Sequence, residues 1–115
     1  HVIKTAYTAL TALADVVIVE GAGGLLVPLN ATQTMGDLLR VLELPALVVV
    51  GMRLGCINHA LLTRQVLQQQ QLPFGGWVAN HIATDMRMPQ ENLQTLVDWL
   101  QQPPVLQLPY QGQKT

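Results

Sequence analysis

Short, largely apolar runs alternate with helical patterns along this chain, and this alternation limits the folds that it can adopt. The apolar runs cover residues 16–19, 46–51 and 75–80, and a shorter run follows at 105–108. Strands that are apolar on both faces are typical of parallel sheets, in which a helix usually forms the connection between neighbouring strands. The sequence therefore predicts an α/β fold built on a parallel sheet.

Apolar spacing and capping residues predict four helices between these runs. Thr34 and Asp37 form a capping-box pattern just before a run of leucines, which indicates that a helix starts there. Prolines mark both ends of the last helix. The predicted helices cover residues 2–13, residues 34–43, residues 57–70 and the segment between Pro89 and Pro103.

Ligands of open parallel α/β sheets bind at the carboxyl ends of the strands. This rule directs attention to three loops, at residues 20–33, 52–58 and 80–88. In the first loop, Glu20 follows an apolar run and precedes a turn rich in glycine. Glycines let ligand atoms approach backbone N–H groups, and a carboxylate beside those donors can hold Mg²⁺ next to phosphate oxygens. We therefore interpret this loop as a metal and phosphate site.

The second loop leads into a helix after Gly55, and we expect the amides of Cys56, Ile57 and Asn58 to be free donors there. An anion such as a carboxylate fits such a helix start. Simpler interpretations stay open: Asn58 caps the helix, Cys56 packs in the core, and His59 is a buried or solvent-exposed histidine. The histidines show no metal-ligand spacing with Cys56, so zinc receives little weight.

In the third loop, Asn80 follows a predicted strand. Its amide can donate and accept a hydrogen bond, as an adenine edge requires, although an Asn in this position is also a common turn former. Trp77, inside the strand, is predicted to lie in the core.

Composition limits the partners of the chain. Only 11% of residues are charged, against roughly 25% in an average globular protein, so we expect part of the surface to be covered by another subunit or by more of the same chain. The net charge of −1 predicts no basic face for nucleic acid or anionic membrane. The single cysteine fits a reducing, cytoplasmic setting, and no apolar run predicts a membrane span.

Four segments, "VEGAGGLLVPL", "RLGCINHALLT", "GGWVAN" and "LPY", occur in this order. In order and spacing they resemble the C-terminal half of dethiobiotin synthetase, the ATP-dependent family that closes the ureido ring in biotin synthesis. The resemblance covers nearly the whole chain. It implies a P-loop NTPase-like fold with helices on both faces of a parallel sheet, in which residues 1–115 form the C-terminal portion of a single α/β domain.

The resemblance also implies ligands and site residues. The ligands are ATP, Mg²⁺, CO₂ and 7,8-diaminononanoate, and the enzyme is a homodimer whose substrate pocket is completed across the subunit interface. In the implied reaction, a carbamate of the substrate attacks the γ-phosphate of ATP, and the second amine then closes the ring and releases phosphate. The implied metal ligand is Glu20, the implied ATP-binding residues are Glu20, Gly21, Ala22, Gly23, Asn80, His81, Pro109, Tyr110 and Gln111, and the implied substrate-carboxylate residues are Gly55, Cys56, Ile57 and Asn58.

The chain departs from the family pattern. The phosphate-binding signature G-x-x-x-x-G-K-[ST] is absent from it, and the family's catalytic lysines are expected in an N-terminal half. No catalytic residue is therefore assigned here, and we expect this chain alone to be inactive and to associate through an apolar strand edge. Related cobyrinate diamide synthases, partitioning-type ATPases and a non-catalytic dimerisation module remain alternatives. The segment "LGCINHA" argues against the first two, and the missing P-loop favours the third.

Overall fold

The computed structural model describes residues 2–82 and 89–111. The chain divides into two compact units, His1–Leu44 and Pro45–Thr115. The helices and strands, in chain order, are α1 (Val2–Thr11), α2 (Met35–Leu42), β1 (Ala46–Gly51), α3 (Cys56–Gln69), β2 (Phe74–Asn80), α4 (Pro89–Leu100) and β3 (Leu106–Leu108).

The second unit contains a parallel sheet with the strand order β1-β2-β3. Val48 of β1 lies opposite Trp77 of β2, and Val50 lies opposite Ala79. Because side chains alternate between the faces of a strand, these four share one face of the sheet. The predicted α/β fold with a parallel sheet is confirmed, and its strand and helix positions agree with the prediction to within about two residues.

The core of the second unit lies between this face and the helices α3 and α4. Trp77 and Leu96 are fully buried in it, and Ala60 of α3 packs in the same cluster. The indole Nε1 of Trp77 donates a hydrogen bond of 3.0 Å to the carbonyl of Gln102, which satisfies the one polar atom that burial of the ring would otherwise leave unpaired. Trp77 is therefore a core residue, as predicted.

The first unit contains α1 and α2. The predicted capping box is present at the start of α2: the backbone N–H of Thr34 donates to the carboxylate of Asp37 at 2.8 Å. The helix ends at Glu43, whose backbone adopts the left-handed conformation. In the described part of the chain, no helix combines the length and the apolar character that crossing a membrane requires.

The predicted strand at residues 16–19 is wrong. These residues are irregular and pair with no described strand, and the side chains of Val16 and Ile18 are 77% and 88% exposed. A strand that is apolar on both faces needs neighbours to satisfy its backbone groups and cover its side chains. Its β-branched residues favour an extended backbone but cannot supply those neighbours.

Candidate functional site

The carboxyl ends of the three strands meet at one edge of the sheet. Asn80 at the end of β2 pairs with Gly51 of β1 on one side and with Leu108 of β3 on the other. The backbone N–H of Met52 also donates to the carbonyl of Asn80 at 2.7 Å. The loops that follow β1 and β2 and the residues that follow β3 therefore begin beside one another, as the parallel arrangement predicts.

The residues predicted to hold adenine lie at this edge. Asn80 is half-buried, and its side chain makes no hydrogen bond with the described residues. Residues 109–111, which include Pro109, Tyr110 and Gln111, are exposed immediately after β3. An open amide beside exposed chain can meet the edge of a base. The predicted third loop also includes residues 83–88, which lie outside the described residues.

The residues predicted to receive a carboxylate lie at the start of α3. Gly55 has a φ of +90°, and no atom lies within 4 Å of the position that a Cβ would occupy there. The amide of Cys56 donates to the carbonyl of Arg53 at 3.0 Å, so the expectation that it is a free donor is wrong. The amides of Ile57 and Asn58 make no such bond with described residues, and the helix start therefore retains two donors.

The surroundings of these side chains test the simpler interpretations, in which Cys56 packs in the core and Asn58 caps the helix. Cys56 is buried in the core, and Ile57 packs against it. Asn58 is an exposed residue inside the helix and makes no side-chain hydrogen bond with the described residues, so it does not cap α3. An anion at this helix start would therefore meet backbone N–H groups rather than the side chains of these three residues.

An open pocket of about 440 Å³ adjoins the start of α3. Its wall consists of the end of β1 (residues 48–51), the loop 53–56, one side of α3 and Ile82. Arg53 is the one cationic side chain among the lining residues, and the sequence analysis missed it. The signal was available, because Arg53 is two residues from the glycine at the helix start. The lining contains aliphatic side chains, polar groups and one guanidinium, a combination that suits an aliphatic acid.

The glycine turn of the first unit contains glycines with different roles. Gly23 has a φ of +86°, and an added Cβ would lie 2.7 Å from a methyl group of Val27, so the turn itself requires glycine there. Gly24, with a φ of +125°, faces open space. An added Cβ at Gly21 would approach Met35 to 3.3 Å. The space open to a ligand is therefore widest at Gly24, and the backbone of the turn requires glycine at Gly23.

Hydrogen bonds to the start of α2 hold the chain that follows this turn. The amides of Met35 and Gly36 donate to the carbonyls of Val27 and Leu25, each at 2.9 Å. The amide of Thr34 has the largest effect and holds the pKa of Asp37 below its usual value. Desolvation has the next largest effect and opposes it, while Thr34 Oγ1 and Arg40 make smaller contributions that also lower the pKa. Thus Asp37 is used for helix capping rather than for chemistry.

Glu20 is the remaining acidic candidate in this unit. Its side chain is exposed and makes no hydrogen bond or ion pair with the described residues. The described residues contain no group of three or more His, Cys, Asp or Glu that could enclose a metal ion. Mg²⁺ commonly binds through one or two carboxylates with water and nucleotide phosphates completing its shell, so a single free carboxylate fits it.

Comparison with known proteins identifies the class of this chain. A family model described as "AAA domain" matches residues 1–115. The chain belongs to this family. The α/β fold with its parallel sheet agrees with that assignment.

Relatives within the family are more specific. The chain is 50% identical over 110 residues, 96% of its length, to the "ATP-dependent dethiobiotin synthetase BioD" of Nitrosospira multiformis. It is also 50% identical over 90 residues, 78% of its length, to the protein of the same name from Cellvibrio japonicus. The matches cover 49% and 40% of those two proteins, so the chain spans about half the length of the relatives or less. The resemblance to dethiobiotin synthetase is confirmed.

Proposed function

We propose that this chain is the C-terminal portion of an ATP- and Mg²⁺-dependent dethiobiotin synthetase, an enzyme of biotin biosynthesis. The observation that carries the proposal is the 50% identity over 96% of the chain to a protein of that name. In the proposed reaction, a carbamate oxygen of 7,8-diaminononanoate, formed with CO₂, bonds to the γ-phosphorus of ATP, and ADP leaves. The second amine then attacks the carbamate carbon, loses its proton and releases phosphate as the ring closes.

The nucleotide residues have separate tasks in this proposal. Glu20 holds Mg²⁺, which neutralises phosphate charge when it is bound. Gly21, Ala22 and Gly23 line the phosphates, and the open space at Gly24 supports the approach of a ligand to this turn. The adenine ring lies at the end of β2, where Asn80 and His81 lie, and against the chain that continues from β3 through Pro109, Tyr110 and Gln111. The open amide of Asn80 supports this placement.

The substrate carboxylate binds at the start of α3 in this proposal. The free amides of Ile57 and Asn58 donate to it, while Gly55 leaves room for its approach and Cys56 forms part of the wall. We also propose a homodimer, in which a second subunit completes this pocket. The support is Leu54, an apolar side chain that is 96% exposed beside Gly55. The free, buried Cys56 is compatible with our proposal that the enzyme works in the reducing cytoplasm.

The decisive experiment uses the enzyme expressed from its complete coding sequence. Incubation with 7,8-diaminononanoate, bicarbonate, ATP and Mg²⁺ should yield dethiobiotin, measured by mass spectrometry, with one ADP formed per product. Omitting any one component should abolish the product, and residues 1–115 alone should give none. If ATP is consumed only when glutamine and a corrinoid acid are supplied, a cobyrinate-type synthase replaces the proposal. If no ATP turnover is found, the result favours the alternative of a non-catalytic dimerisation module.

A further inference from the structure

The third strand is short, and contacts at its two ends hold it beside β2. At its start, the N–H of Val105 donates to the carbonyl of Trp77 at 2.8 Å. At its far end, the N–H of His81 donates to the carbonyl of Leu108 at 2.9 Å, and His81 Nε2 lies 3.3 Å from Gln107 Oε1. All three residues of β3 are exposed, so burial holds this strand weakly, and the contacts of His81 add to its backbone pairing with β2.

The side chains of His81 and Asn80 have different surroundings. Ala79 pairs with Gln107, and Asn80 pairs with Leu108. Paired residues share a face and successive residues alternate, so His81 and Gln107 lie on the face of Ala79, whereas Asn80 lies on the other. Because the side chain of His81 is used on the face away from Asn80, it is suited to hold β3 in place rather than to contact the base.

The position of β3 decides the course of the residues that follow. Leu108 precedes Pro109, whose ring fixes its own φ and restricts the backbone of the residue before it. With these two residues restricted, the place where β3 ends limits the directions that the chain can take towards Tyr110 and Gln111. A shift of β3 along β2 would therefore move these residues relative to Asn80.

We propose that His81 and Gln107 are a positioning pair for the adenine ring. Their side-chain contact fixes the end of β3 against β2 and so sets the distance between Asn80 and residues 109–111. This inference rests on the proposed function, because it assumes that the base binds between these elements. It assigns Gln107 a role for the first time and changes that of His81 from a ligand contact to a support.

The test compares two substitutions of Gln107 in the complete enzyme. Gln107→Met removes the acceptor oxygen at similar volume, and Gln107→Glu keeps an acceptor. We expect Gln107→Met to raise the Kd for ATP roughly three- to tenfold, the loss of about one hydrogen bond, and Gln107→Glu to stay within about twofold of the wild type. The Kd for diaminononanoate should not change. Gln94→Met is the matched control, because Gln94 makes a comparable exposed bond to Asp98 on α4.

A double-mutant cycle with His81→Ala tests whether the two side chains act together. The double variant should bind ATP no more weakly than His81→Ala alone. The inference is overturned if Gln107→Met binds ATP as the wild type does, if Gln107→Glu weakens binding equally, or if the Kd values for both substrates rise together. Calorimetric titration separates this inference from the proposed function. If the enzyme binds ATP but forms no dethiobiotin, only the proposed function is refuted. If it binds no ATP, both the proposed function and the positioning role of His81 and Gln107 are refuted.

Discussion

Two apolar segments of this protein differ in structure: one forms a strand of the parallel sheet, and the other is irregular and exposed. Residues 46–51 form β1 in the second unit, where Val50 is 5% exposed. Residues 16–19 in the first unit consist entirely of valine and isoleucine, yet Ile18 is 88% exposed and the segment forms no strand. The difference is that β1 has neighbouring elements to pair and pack with, namely the seven residues of β2 beside it and helix α3 over one face.

The same difference separates the two units as a whole. The fully buried large side chains of the described residues, among them Trp77 and Leu96, all belong to the second unit. In the first unit, α1 has no buried residue, and the glycine turn and the start of α2 are held chiefly by backbone hydrogen bonds. Apolar composition supplies the material of a core, but a core forms only where elements cover each other.

The largest expected effect comes from a direct comparison of the two units. Trp77→Ala should lower the free energy of unfolding by about 3–5 kcal/mol, because it leaves a large cavity and an unpaired carbonyl at Gln102. Ile18→Ala should change it by less than about 0.5 kcal/mol. Urea unfolding of the 115-residue chain measures both. Equal losses of stability would contradict the conclusion that only the second unit has a packed core. A larger loss for Ile18→Ala in the complete enzyme would show that other residues cover this segment there.

The next effect concerns chemistry in the loosely packed unit. Glu20→Gln in the complete enzyme should reduce kcat on the order of 100-fold, because a neutral amide holds Mg²⁺ poorly beside phosphate. Stability should not change, since the carboxylate is exposed and has no partner among the described residues. Glu91→Gln, at an exposed acid in the first turn of α4, is the control. Undiminished turnover at both limiting and saturating Mg²⁺ would refute the metal assignment.

A smaller effect is expected at the start of α3 in the well-packed unit. At Gly55, Ala and Val both force a side chain into a left-handed backbone, at a cost of about 1–2 kcal/mol in stability. Only Val adds bulk in the space left for the substrate carboxylate. Gly55→Val should therefore raise the KM for diaminononanoate several-fold more than Gly55→Ala does, and more than it raises the KM for ATP. Parallel rises in both KM values would mean that the glycine is purely structural.

The smallest expected effect is a pH-dependent change in Tm in the first unit, where a local hydrogen bond stabilises the start of α2. The pKa of Asp37 lies below 3.8 when folded, chiefly because the Thr34 amide donates to its carboxylate. A lowered folded-state pKa means that ionised Asp37 stabilises the protein above pH 3.8 and loses this effect as the pH falls further. The difference in Tm between the wild type and Asp37→Asn should thus shrink in acid. At pH 7, Asp15→Asn, which removes the same charge without a hydrogen bond, should leave Tm unchanged.

Local signals in the sequence predicted several features correctly. The capping box of Thr34 and Asp37, the strand at 46–51 and the helix that begins at Pro89 all depend on residues a few positions apart. The candidate residues Glu20 and Asn80 were chosen from their places after apolar runs, and both have open side chains. Their roles with metal and adenine remain predictions.

Other features could not be predicted from local sequence, because they depend on how the chain folds in three dimensions. His81 and Gln107 are 26 residues apart, and their contact exists because β2 and β3 pair in one register. The Cys56 amide is occupied because the loop before α3 folds back on Arg53.

The sequence alone predicted the α/β class and most of the helices and strands, since these follow from periodicity and capping. It could not determine which apolar run becomes a strand. Residues 16–19 and 46–51 carry the same local preference, and only pairing with a neighbouring strand satisfies the backbone groups and covers the side chains.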